Sequence, residues 1–168
     1  NGTYTLQLLL YEGWESRSAD IVIEGKTIKE KYNQLKAQGG KFNHGSVLRH
    51  TFTLTDGNID IEIKAHNVLN AHLGGLILSK SHGRDTVSTA IVKSKSDLDF
   101  KDVLKAINFG DTRNLSIGNV NFTAAAVNTT VDGVTNKAAG DVYAGEHNQK
   151  LPAMQKEKAK KKNDKNLK

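Results

Sequence analysis

Thr3-Tyr4-Thr5-Leu6-Gln7-Leu8-Leu9-Leu10-Tyr11 is the stretch that sets the fold class. Tyr4, Leu6, Leu8 and Leu10 fall at every second position, the period of a strand with one face buried. The same signal recurs along the chain. Ala19 to Glu24 predicts a second strand, closed by Gly25, and Val47 to Leu54 a third, with Leu48, His50, Phe52 and Leu54 on one side. Ile59 to Lys64 predicts a fourth. The Asp56-Gly57 pair before it tolerates the positive φ of a type I′ turn and predicts a hairpin there. Leu73 to Leu78 reads as another strand, with Gly74 and Gly75 where a backbone packs closely. Further short strands are expected at Thr86–Val92, Val103–Phe109 and Leu115–Ala125, with Gly110, Gly118 and Gly133 marking turns.

Only one segment reads as helix. Thr27-Ile28-Lys29-Glu30 has the form of a capping box, Ile28, Tyr32 and Leu35 follow at helical spacing, and Gly39-Gly40 stops the run. That predicts a helix over 28–37. One short helix against seven or eight strands makes the chain all-β, an antiparallel β-sandwich.

The chain has 168 residues and no cysteine, which excludes thiol catalysis, thiolate metal sites and disulfides. The net charge of +6 belongs to its end, because residues 150–168 hold eight lysines against Glu157 and Asp164. Of 24 basic groups, 16 remain in residues 1–149, and of 18 acidic groups 16 remain there, so the body is neutral. A neutral body predicts no specific nucleic-acid recognition. After Leu151-Pro152 no apolar face remains, so a disordered basic tail is expected over 151–168. Its residues Lys156, Lys158, Lys160, Lys161 and Lys162 are candidates for polyanion binding by counterion release. No apolar run approaches the roughly 18 residues of a spanning helix, so no membrane span is expected. The chain opens on Asn1-Gly2-Thr3 without an initiating Met and reads as a processed or excised piece.

Two segments resemble malectin-like carbohydrate-binding domains, members of the galactose-binding jelly rolls. Gly2 to Leu8 through Glu12, then Arg17, Asp20 to Ile23, Gly25, Phe52, Asp56-Gly57 and Ile59 to Ile61 are similar to that family's central and C-terminal strands. Ala106-Ile107-Asn108-Phe109-Gly110, with Gly118 and Phe122, is similar to its opening strand. The resemblance implies a jelly roll that binds a glycan or polysaccharide outside the cell or at its surface. Here, however, the opening strand follows the others. Residues 1–80 therefore read as central and C-terminal strands, 81–102 as a linker and connecting strand, and 103–150 as opening strands. The late strands either complete the same sandwich or begin the next repeat. The polar stretch Ser79–Asp85 and the charged stretch Lys93–Asp102 look like slack between the halves. In the repeat case the chain would assemble with copies of itself by strand exchange, as a structural subunit without a sugar ligand.

Trp14, the only tryptophan, lies in a polar loop with Tyr11, Glu12, Glu15 and Arg17. A sugar ring needs a flat apolar surface for its C–H face and polar groups for its hydroxyls, and these five residues are the candidate glycan site. The competing reading makes Trp14 a cap on the core and Glu12–Arg17 a structural ion pair. The histidines have no metal-ligand spacing and no cysteine to assist them, so no metal or other cofactor is expected. Calcium is compatible with the fold class, but no EF-hand spacing appears. No nucleophile elbow, phosphate loop or His-Glu-x-x-His is present, so a non-catalytic module is expected.

Overall fold

The computed structural model describes residues 2–14, 16–66 and 72–137; the lysine tail, and the expectation of disorder attached to it, lies outside them. The strand that opens the sequence, β1 (Gly2–Leu10), pairs on one side with β4 (Gly45–Leu54) and on the other with β6 (Gly75–Lys80), both antiparallel. Outward from these lie β7 (Thr86–Val92) beside β4, and β8 (Val103–Phe109), β10 (Val120–Ala125) and β9 (Leu115–Ile117) beyond β6. The result is a seven-stranded sheet, antiparallel except for the β8–β10 pair. A three-stranded sheet, β3 (Lys26–Asn33), β2 (Ser18–Ile23) and β5 (Ile61–Ala65), supplies the second layer, and β11 (Thr129–Val131) and β12 (Val134–Asn136) form a separate hairpin. The alternation in β1 decides the packing: Leu6, Leu8 and Leu10 meet Ile21, Ile23 and Tyr32 of the smaller sheet, together with Leu48, Phe52, Leu76 and Ile107. The chain is the expected all-β sandwich.

Both halves of the sequence lie in one sheet. β6 extends through Ser79 and Lys80, into the stretch read as a polar break, and pairs with β8 as Leu76↔Ile107 and Ile77↔Ala106. Gly75 permits that approach, since a Cβ there would lie 2.7 Å from the Ile107 carbonyl oxygen.

The charged stretch Lys93–Asp102 is no slack connector. β7 lies at one edge and β8 beyond β6, so this stretch crosses the outer face of the large sheet as a strap. It is gripped from below by Gln7, which points away from the inner core and is 1% exposed. Gln7 Nε2 donates to the Asp99 carbonyl at 2.5 Å, and Asp99 N donates to Gln7 Oε1 at 3.0 Å. Arg49 Nη2 donates to the Asp97 carbonyl at 2.5 Å. Beneath and beside the strap a second core forms from Ile77, Ala106 and Phe122, joined by Leu9, Leu98 and Phe100. Burying a glutamine amide is tolerable because both its donor and its acceptor are used.

Two sequence expectations are corrected. The helix over 28–37 is a strand for most of its length, and only the single turn α1 (Gln34–Ala37) is helical, capped by Asn33 Oδ1 accepting from Lys36 N at 2.8 Å. Thr27 to Tyr32 pairs with β2 instead, which satisfies the backbone groups that a capping box would have served. The register slips twice, on either side of Ile21, so β3 gains two residues and Ile28 and Tyr32 both reach the core. Their four-residue spacing suits a strand's period as well as a helix's. Asp56-Gly57 makes no hairpin either. β4 already has β1 and β7 as neighbours, so β5 pairs with β2, and the turn (Gly57 φ 84°) carries the chain between sheets. Among the described residues, the two-residue hairpins with positive φ at both positions are Glu24-Gly25 and Asp132-Gly133.

Two carboxylates that bind backbone N–H groups outside the regular ladders titrate below their ordinary value. Asp97 is held below its ordinary pKa of 3.8 by the N–H groups of Lys93 and Ser94, which bind its carboxylate at the start of the strap. Asp20 is lowered first by the N–H of Lys31 at the bulge and next by His66. Depressed acids contribute stability that is complete above the unfolded value and is lost as pH falls through the folded one. The melting temperature should therefore fall once pH drops below 3.8, the ordinary value of these groups. A melting temperature that rises on acidification through this range would contradict the assignment.

Candidate functional site

The register Leu10↔Ser46 brings the loop leaving β1 beside the turn entering β4, at one end of the sandwich. The loop after β1 is tied down from inside. Glu12 is 1% exposed; its backbone N donates to Gln38 Oε1 at 2.9 Å, and Gln38 Nε2 returns a bond to the Glu12 carbonyl at 2.7 Å. The same Nε2 reaches the Lys41 carbonyl at 2.8 Å, so Gln38 holds both chain segments. Glu12 Oε1 accepts from Trp14 N at 2.8 Å, and Oε2 pairs with Arg17 Nε at 3.1 Å. Arg17 in turn contacts His72 Nε2, whose backbone carbonyl accepts from Gln34 Nε2 at 2.5 Å. A buried carboxylate is tolerable only when paired and hydrogen-bonded, and this one is both. The network ties Glu12, Trp14 and Arg17 to Gln38 and His72.

On that base stand the aromatics. Tyr11 is 51% exposed and Phe42 52%, and the Tyr11 hydroxyl donates to the Phe42 carbonyl at 2.9 Å. The Tyr11 ring lies against Gly13, where a Cβ would come within 2.8 Å of its hydroxyl oxygen. An open apolar cleft of about 190 Å³ continues from Tyr11 along Leu9, Gly45, Gly74, Val92 and Leu98. A second cleft of about 250 Å³, lined by Thr5, Gln7, Ser79, His82, Asp99 and Lys101, lies beside the strap.

The expected site residues divide. Tyr11 is at the surface and Trp14 is half-buried beside it in the loop. Glu12 and Arg17 face each other, and a carboxylate 1% exposed has no surface to offer a sugar, so their part is to hold the loop. Glu15 and the tail lysines 156, 158, 160, 161 and 162 lie outside the described residues. Phe42 carries no signal in the sequence, because it stands alone between Gly39-Gly40 and polar residues. Gln34, Gln38 and His72 carried no signal at all, since their value depends on what folds against them.

Two of the described histidines are engaged away from this end. His50 stacks on Phe52 with ring centroids 4.9 Å apart, and His66 Nε2 lies 2.7 Å from Asp20. Among the described residues no three His, Cys, Asp or Glu side chains converge, and no helix is long and apolar enough to cross a membrane. No family model, curated protein or solved structure matches the chain.

Proposed function

We propose that this chain is a non-catalytic carbohydrate-binding module of an extracellular or cell-surface protein, and that its aromatic end takes the glycan. One observation carries the reading: Tyr11 and Phe42 stand half-exposed and hydrogen-bonded together on two chain segments that Gln38 ties to each other. Exposed aromatics already held in place lose little entropy when a ligand stacks on them, which is where preorganisation gives affinity. The pyranose C–H face meets the rings, and the exposed Lys41 and Asn43 flank Phe42 as polar partners for hydroxyls. The malectin-like resemblance of the β1, β2 and β8 segments points to the same ligand class.

A glycan array probed with the full chain should give a defined set of positive neutral glycans. The Tyr11→Ala/Phe42→Ala variant should lose them, by about tenfold or more if stacking contributes on the order of 1.5 kcal/mol. Because both rings are half-exposed, its melting temperature should change little. A variant that folds normally and keeps the wild-type array pattern would overturn the assignment to this end of the sandwich.

A further inference from the structure

β7, Thr86-Val87-Ser88-Thr89-Ala90-Ile91-Val92, is the outermost strand of the large sheet beside β4, and it pairs with β4 without a slip from Thr51↔Thr86 to Gly45↔Val92. An edge strand presents a row of unpaired N–H and C=O groups, and proteins blunt such edges with charges, prolines, bulges or shortness. The other edges here are blunted. β9 has three residues, β5 carries Glu62 and Lys64, and β3 carries Lys26, Lys29, Glu30 and Lys31 with two bulges. β7 has seven residues, none charged, no proline, no glycine and no bulge. Among the described residues no strand pairs with its outer side.

Its side chains leave a surface as well as an edge. Pairing places Val87, Thr89 and Ile91 opposite His50, Leu48 and Ser46, on the side of the sheet that faces the smaller layer. They are covered only in part, for Val87 is 44% and Ile91 38% exposed. The sequence is also close to its own mirror about Thr89. In antiparallel pairing of two copies centred there, Val87 meets Ile91, Ser88 meets Ala90 and Thr89 meets Thr89, so apolar faces apolar, small faces small and no charge opposes its copy.

We propose that β7 is a dimerisation edge, pairing antiparallel with β7 of a second copy about a two-fold axis at Thr89. A self-complementary patch is what a two-fold interface requires, and the dimer would join the two large sheets into one continuous sheet. This inference does not rest on glycan binding.

Sedimentation equilibrium of the full chain is expected to show a mass near twice 18.3 kDa at high concentration. Thr89→Lys sets two ammonium groups face to face on the axis and should yield a folded monomer, as should Thr89→Glu. Thr89 is exposed, so neither change removes core packing. Mixing the two variants should restore the dimer, because Lys then faces Glu across the axis. Three results would overturn the proposal: a wild-type chain that stays at the mass of one copy at its highest soluble concentration, a Thr89→Lys chain that remains dimeric, or a mixture that stays monomeric.

Discussion

Glu12→Ala is expected to destabilise the protein by about 3–5 kcal/mol, the cost of removing one partner of a buried ion pair. The loss is large because the carboxylate has two tasks. One oxygen accepts from Trp14 N, and the other pairs with the Arg17 guanidinium, which is 12% exposed and would stay behind as a poorly solvated charge. Glu12→Gln should cost less, since the amide oxygen can still accept from Trp14 N while the charge pairing is lost. Chemical denaturation of the two variants checks the ranking. If Glu12→Ala costs under about 1 kcal/mol, the pair behaves as an ordinary surface salt bridge and the loop is not held as described.

Phe122→Ala should cost about 3–5 kcal/mol, the usual range for emptying a buried aromatic site. Phe122 is 2% exposed, packed with Ile77 and Ala106 in the core beside the strap. Its significance is positional. It belongs to β10, late in the chain, yet Ile77 belongs to β6 of the early segment. If these strands form one cooperative sandwich, as the β6–β8 pairing implies, the substitution lowers a single melting transition for the whole chain. Were residues 103–137 a separate repeat, the variant would instead show two transitions, with the higher one unchanged.

How far the sequence revealed this depends on whether one side chain pattern had one structural meaning. β1, β4 and β6 were legible because their inner faces are apolar and alternation survives on any strand with one buried face. Ile28 and Tyr32 were ambiguous, since a four-residue spacing fits both periods, and the two register slips that place them show only once β3 is paired with β2. Asp56-Gly57 marked a change of direction but not the type I′ hairpin, for only Gly57 has a positive φ and the side of β4 that β5 would have taken is occupied by β7. At the candidate site, Tyr11 and Trp14 were legible as aromatics in a polar loop. Gln7, Gln34 and Gln38 were not, for a buried glutamine looks like any surface glutamine until the groups that satisfy it arrive from elsewhere.

Trp14 allows the most direct test of glycan binding at this end, because it is the only tryptophan in the chain and its loop carries Tyr11. Its fluorescence should be titrated with the strongest glycan from the array, using the full-length protein. The expected result is a saturable change in Trp14 emission, which the Tyr11→Ala/Phe42→Ala variant lacks. A glycan that binds by calorimetry yet leaves the Trp14 emission unchanged, or an array with no positive glycan at all, would contradict the account.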